Sequence, residues 1–304
     1  MDADDTRANP VADAAEAVTD AVGDAVRTAT DAVADAARAA AEHADALVDA
    51  VTGAAVHGRV SRFTHAGATL VLEEHGEGEP LFLLIHGIGM GRMVFADLVT
   101  HLEGRGRIWT VDQPGYGEAP EPERTLTMER TADLVAALLR ARGESAAVVV
   151  GHSMGSQVAA ELAARHPDLV GALVLAAPTV DSGARRALRQ VARLARDLPR
   201  ENLRELLLGG REYLRAGPNL RRKMRAMLVH RPEDAYPRIT APALVVRGAL
   251  DGVSPHAWCA EVAQRLSGAP LVELDGHGHE TLIRDAGPAA AAILRFLAEH
   301  RPHA

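Results

Sequence analysis

Residues 149–156 read Val-Val-Gly-His-Ser-Met-Gly-Ser, and Gly151, Ser153 and Gly155 within them form the pattern Gly-x-Ser-x-Gly. The chemistry this suits is nucleophilic attack by a hydroxyl. A serine is a weak nucleophile until a base takes its proton and a further group orients the base. Two glycines allow the serine to occupy a sharp strand-to-helix turn that lifts Oγ above a sheet edge. The N-terminus of the helix beside it then favours developing negative charge. The flanking residues fit that turn. Residues 146–150 are small, apolar and β-branched, as a strand buried on both faces requires. Residues 156–165 carry Val158, Leu162 and several alanines at helical spacing, before His166-Pro167 stops the helix. This strand-before and helix-after context separates the motif from a chance pattern in a Gly- and Ala-rich chain.

The acid and the base must come from elsewhere, acid before histidine in chain order. Asp251 lies in Gly248-Ala-Leu-Asp-Gly-Val-Ser-Pro255, just past a predicted strand at 243–247, although Asp-Gly is also ordinary turn chemistry. Past a further predicted strand at 270–274 comes Asp275-Gly-His-Gly-His-Glu280, in which His277 and His279 compete for the role of base. Neither has companions at metal-ligand spacing, so a base role is preferred, and neither a metal nor a cofactor is expected.

Five elements in a fixed order resemble one family. They are His86-Gly87-Ile88-Gly89, Asp112-x-Pro-Gly-Tyr-Gly117, Gly151-His-Ser-Met-Gly155, Gly248-x-x-Asp251-x-x-x-Pro255 and Gly276-x-x-His279. Together they are similar to the α/β-hydrolase fold superfamily, in its lid-bearing group of esterases, cofactor-free haloperoxidase-like enzymes and carbon–carbon bond hydrolases. The likeness runs from Arg59 to the C-terminus. It implies Ser153 as nucleophile, Asp251 as acid, His279 as base, and the backbone N–H groups of Ile88 and Met154 as oxyanion donors. It makes His277 a loop residue, His86 structural, His152 a neighbour of the pocket without a chemical role, and Asp112 a loop carboxylate with a weak claim to be the acid. A serine nucleophile excludes the dehalogenases and epoxide hydrolases, which use aspartate. Ser156 stands where the family often has glycine or alanine. The implied activity is hydrolysis of a carboxylic ester, thioester or lactone of a small to medium apolar substrate through an acyl-enzyme. The alternatives are carbon–carbon cleavage of a diketone-like substrate, and a slow-turnover small-molecule receptor on the same fold.

The elements that must position these residues alternate strand and helix. Strands are predicted at 59–65, 69–74, 81–85, 107–111, 146–150, 172–176, 243–247 and 270–274, with helices near 93–102, 127–140 and 156–165. This rhythm predicts an α/β fold: a doubly wound, mostly parallel sheet of about eight strands. It breaks at Pro178. From Ser182 to about Arg231 the chain is helical, Arg- and Leu-rich and without strand pattern, which predicts a helical lid over the strand ends where ligands bind. The arginines there read as a solvated helix face. The expected domains are a tail at 1–55, a core at 56–177 and 241–304, and a lid at 178–240.

Composition narrows the class. The 304 residues are 47% hydrophobic but only 3% aromatic, so the core is expected to be Ala, Val and Leu. Cys259 is the single cysteine, which excludes an intrachain disulfide and reads as a buried small apolar residue. No apolar run reaches the roughly 18 residues of a membrane span. The acidic N-terminus does not look like a secretory signal, and a cytoplasmic protein is expected. Residues 1–55 hold twelve acids and three arginines, a balance of −9, so the rest of the chain carries +1 within the net charge of −8. The neutral body and acidic tail do not fit a nucleic-acid binder. In the tail Asp13, Asp20, Asp24, Asp31 and Asp35 alternate spacings of seven and four, an eleven-residue repeat that keeps one helix face polar. Val18, Val22, Val26 and Val33 make a narrow opposite stripe through which the tail could self-associate. Ala and Val bury too little for that to be the preferred reading, which is a solvated, partly disordered tail.

Overall fold

The computed structural model describes residues 58–182 and 219–300. Eight strands build one sheet: β1 Arg59–His65, β2 Ala68–His75, β3 Leu81–Ile85, β4 Arg107–Asp112, β5 Ala147–His152, β6 Val170–Ala176, β7 Ala243–Gly248 and β8 Leu271–Leu274. Their order is β1-β2-β4-β3-β5-β6-β7-β8. The first two pairings, β1 with β2 and β2 with β4, are antiparallel, and the rest are parallel. The doubly wound, mostly parallel sheet expected from the alternation is present.

The central strands are apolar on both faces, as a sheet covered on both sides requires. Leu81, Leu83 and Ile85 of β3 face one core layer, while Phe82 and Leu84 face the other. On the first side lie α2 Met128–Ala141, α3 Met154–Arg165 and α5 His256–Arg265; on the second lie α1 Ala96–Leu102 and α6 Gly287–His300. Helix α2 begins where Thr127 caps it, its hydroxyl accepting from the Arg130 N–H at 3.3 Å. The helix expected at 93–102 opens instead as a tight 3-10 turn, Arg92–Phe95, before α1.

The sheet order reverses around β3. The chain leaves β3 for β4 on one side and returns to β5 on the other, so the carboxyl ends of β3 and β5 are neighbours, with Ile85 opposite Gly151. Such a switch point is where open α/β sheets bind ligands. Of the helical stretch expected at 182–231, the described part is α4 Leu220–Val229, followed by short 3-10 turns at Pro232–Asp234 and Tyr236–Arg238. The rest of it, 183–218, lies outside the described residues, as does the acidic tail with its eleven-residue repeat. Among the described residues no helix is long and apolar enough to cross a membrane.

Candidate active site

Ser153 sits between β5 and α3 with φ +53 and ψ −118, a backbone conformation that side-chain-bearing residues seldom adopt. Its flanking glycines are required by close approach. A Cβ on Gly151 would lie 2.5 Å from the Gly155 carbonyl oxygen, and one on Gly155 would lie 2.1 Å from that of Ile85. Helix α3 is therefore packed directly on β3 and β5, and the turn between them has no room to relax. The Ser153 N–H donates to the Ala176 carbonyl at 3.0 Å. Ser156 acquires a purpose here: its hydroxyl reaches the carbonyls of Gly151 at 2.9 Å and Ala176 at 3.2 Å, pinning the turn to β6.

The carboxyl ends of β7 and β8 bring the other groups. His279 Nε2 lies 3.0 Å from Ser153 Oγ, and His279 Nδ1 lies 2.9 Å from Asp251 Oδ2. The other Asp251 oxygen accepts the N–H groups of Val253 and Ser254, both at 2.8 Å. Burial alone would push the Asp251 carboxyl up. The His279 charge and hydrogen bond, with the two loop N–H groups, outweigh it and hold the carboxyl below its ordinary range. The loops that carry Asp251 and His279 touch: a Cβ on Gly248 would meet the carbonyls of Gly278 and His277 at 2.2 and 2.3 Å, and the Leu250 N–H donates to the His277 carbonyl at 2.9 Å. Arg247 braces the acid loop from within β7. Its guanidinium donates to the Asp251 and Ser254 carbonyls, each at 2.9 Å, and pairs with Glu273. A lone arginine inside an otherwise apolar predicted strand is the sequence signal for this brace.

The remaining candidates have other duties. Asp112 binds the Arg92 guanidinium and accepts the N–H groups of Arg92 and Glu118, so its oxygens are committed to the 3-10 turn after β3 and the loop after β4. His277 places Nδ1 3.0 Å from the Asp275 carbonyl and Nε2 3.1 Å from that of Asp285. Only an imidazolium donates from both nitrogens. Burial opposes that charge, but the two carbonyls prevail, and the His277 pKa is raised. His86 is wholly buried, with Nδ1 2.7 Å from the Gly87 carbonyl and Nε2 accepting the Gln113 N–H at 3.2 Å. His152 donates from Nε2 to the backbone carbonyl of His279 at 2.8 Å. Burial first, and the nearby His279 charge second, depress its pKa to about 3, so it is a neutral prop beneath His279.

Ile88 and Met154 follow the neighbouring ends of β3 and β5, and their N–H groups have no partner among the described residues. Beside Met154 opens a small pocket, whose walls include Gln113, Tyr116, Leu126, Met128 and Lys223. Two turns along α3, Glu161 meets His230 at 3.0 Å, and Glu129 approaches the same ring nitrogen at 3.9 Å. The three ligand atoms lie within 4.8 Å of one another, and the cluster ties the end of α4 to α2 and α3. No local pattern announced it, because its members come from three separate segments.

With this geometry established, comparison with known proteins is informative. The model of the "Alpha/beta hydrolase family" matches residues 82–292. The chain is 29% identical to the 2-(acetamidomethylene)succinate hydrolase of Mesorhizobium japonicum, over 69% of this chain and 85% of the relative. It is 31% identical to the pimeloyl-[acyl-carrier protein] methyl ester esterase of Neisseria meningitidis, over 70% of this chain and 75% of the relative. Among solved structures, a hydrolase from Pseudomonas aeruginosa superposes with a TM-score of 0.67 at 25% identity, covering 79% of this chain and 98% of that one.

Proposed function

The chain belongs to the alpha/beta hydrolase family and is a hydrolase, and from that premise we propose that it cleaves carboxylic esters through an acyl-enzyme on Ser153. The observation that carries the reading is the continuous line of hydrogen-bond distances, 3.0 Å from Ser153 Oγ to His279 and 2.9 Å from His279 to Asp251. In this reading His279 Nε2 takes the hydroxyl proton as Oγ attacks the ester carbonyl. Asp251 keeps the ring oriented and stabilises the imidazolium that forms. The unengaged N–H groups of Ile88 and Met154 receive the oxyanion, and losing one such donor typically costs about 3 kcal/mol of barrier. His279 then protonates the departing alcohol, and a water activated by the same ring releases the acid.

The insertion at 178–240 is assigned the part of a lid, with α4 forming one wall of the pocket beside Met154. The esterase among the relatives supports ester cleavage. Carbon–carbon cleavage would use the same three side chains, so substrate turnover separates the readings. Purified protein is assayed on short p-nitrophenyl esters and on a vinylogous diketone. Turnover of the esters, lost by at least about a thousandfold in Ser153→Ala and in His279→Ala but not in His277→Ala, is the expected result. Ester turnover that survives Ser153→Ala would overturn it.

A further inference from the structure

The chain contains 33 basic residues, of which 32 are arginine and one is lysine, Lys223. That lysine is 4% exposed, and it stands in the wall of the pocket beside Met154. Burying an ammonium is costly unless it is paired, so a charge kept in such a place needs a reason. Every other position that needs positive charge has arginine, and the two are not equivalent. An ammonium is a compact point charge, whereas the broad guanidinium fork needs more room. Room is short here. A Cβ on Gly115 would come within 2.6 Å of Lys223 Nζ.

The ammonium hydrogen-bonds the Gly115 carbonyl and Glu121 Oε2, the latter at 2.8 Å, and lies 4.3 Å from the centre of the Tyr116 ring. These partners differ in permanence. The Gly115 carbonyl is backbone, and Tyr116 is buried with its hydroxyl 3.6 Å from Met154 Sδ. Glu121 is a flexible side chain, 33% exposed, on the coil between β4 and α2, and it too lines the pocket. Among the described residues, the one counter-charge of this buried cation is thus a carboxylate that can leave for water. The same pocket is walled by Met154, the residue next to Ser153.

We propose that this pocket receives a carboxylate carried by the substrate, which replaces Glu121 on Lys223, so that the preferred esters are half-esters of dicarboxylic acids. The exchange trades one carboxylate for another on the same ammonium and leaves the buried charge balance unchanged. The Thr125 hydroxyl supplies a further donor on the pocket wall. The proposal rests on the ester-hydrolase reading for its reaction but not for its binding step.

The test compares monomethyl adipate with methyl hexanoate, which have the same acyl length and differ by the terminal carboxylate. Wild-type kcat/KM is expected to favour the half-ester by about tenfold to a hundredfold, the range of a charge-assisted contact. Lys223→Met should lower that ratio at least about tenfold, raising KM for the half-ester, with circular dichroism confirming the fold. A separate arm needs no turnover: calorimetric titration with adipate. Saturable binding to Ser153→Ala is expected, abolished when Lys223→Met is added and tightened several-fold by Glu121→Gln, which removes the competing anion from an exposed position. If the wild type cleaves neither ester yet adipate binds in this Lys223-dependent way, the ester reading fails and the carboxylate pocket stands. If the wild type shows no preference for the half-ester, or adipate binding is absent or indifferent to Lys223, the carboxylate pocket is overturned.

Discussion

Two sides of one site are built in opposite ways. On the side of Ser153, Asp251 and His279, position is set by backbone. Glycines permit approaches so close that an added Cβ would lie 2.1–2.5 Å from a carbonyl oxygen, loop N–H groups hold the carboxylate, and a buried arginine grips two carbonyls from inside the sheet. On the side of Lys223, Glu121 and Tyr116, position is set by long side chains that meet across more than a hundred residues of sequence. The first arrangement suits chemistry, which requires reacting atoms held to fractions of an ångström. The second suits selection among substrates, because one side-chain change alters the wall without disturbing the turn. The backbone side should therefore be intolerant of small changes in shape, and the side-chain side tolerant of them.

Gly155→Ala is the harshest test of that contrast. Its methyl group would overlap the Ile85 carbonyl at 2.1 Å, with Ile85 fixed in β3 and Gly155 fixed in the first turn of α3. A destabilisation above about 4 kcal/mol, with loss of all measurable turnover, is expected from a backbone clash that nothing can relieve. Chemical denaturation and an activity assay read both. A well-folded, active Gly155→Ala protein would show that the turn is far more compliant than its contacts imply.

A sharper division runs between two buried aspartates. Asp251→Asn should keep the fold and lower kcat by about ten-thousandfold, because the amide would hold His279 in the wrong tautomer. Asp112→Asn should do the reverse. It weakens the buried partner of Arg92 and should cost about 3 kcal/mol of stability, with only a minor change in kcat for the protein that remains folded. Denaturation midpoints beside kcat for the two variants decide the matter. A rate defect in Asp112→Asn with Asp251→Asn near wild type would exchange their roles.

The pair His277 and His279 marks how far the sequence could be read. Both stand among glycines after the last strand, and nothing local separates them; only the family likeness favoured His279. The structure distinguishes them by what each ring faces, carbonyls for His277 and a hydroxyl with a carboxylate for His279. The strands were legible because burial on both faces leaves continuous apolar runs, and Gly151, Ser153 and Gly155 because a close approach admits no substitute. The Glu129–Glu161–His230 cluster and Lys223 were not legible as partners, since a contact between distant segments leaves no spacing to read. Lys223 did leave a trace in composition, as the one lysine among so many arginines.

His277 also gives a pH signature. Its folded pKa is raised above the unfolded value, so its contribution is fully present below the unfolded pKa near 6.5 and is lost as pH rises through the folded one. Relative to His277→Gln, the wild type should be more stable by about 1 kcal/mol, or about 2–4 °C in Tm, at low pH, and the gap should close in alkali. Thermal scans from pH 5.5 to 9 check this. A gap that is constant with pH would mean that the ring serves by shape and not by charge.

The smallest effect is expected from the largest change. Residues 1–55 lie outside the α/β alternation and outside the described residues, and they carry a balance of −9 in a chain whose net charge is −8. Their apolar stripe is alanine and valine, whose burial would contribute too little to hold the segment firmly against a wall of the site. Deleting them should leave kcat/KM within about twofold of the full chain on a neutral ester. The remaining body is close to neutral, so charge repulsion between molecules falls, and self-association on size-exclusion chromatography should increase. An anionic ester adds discrimination. If the acidic tail hovered near Lys223, its removal would raise kcat/KM for monomethyl adipate at low salt and leave methyl hexanoate unaffected, because only the charged substrate feels the repulsion. A tenfold fall on both esters, with the fold intact, would instead place the tail against the pocket and make it a third side of the site.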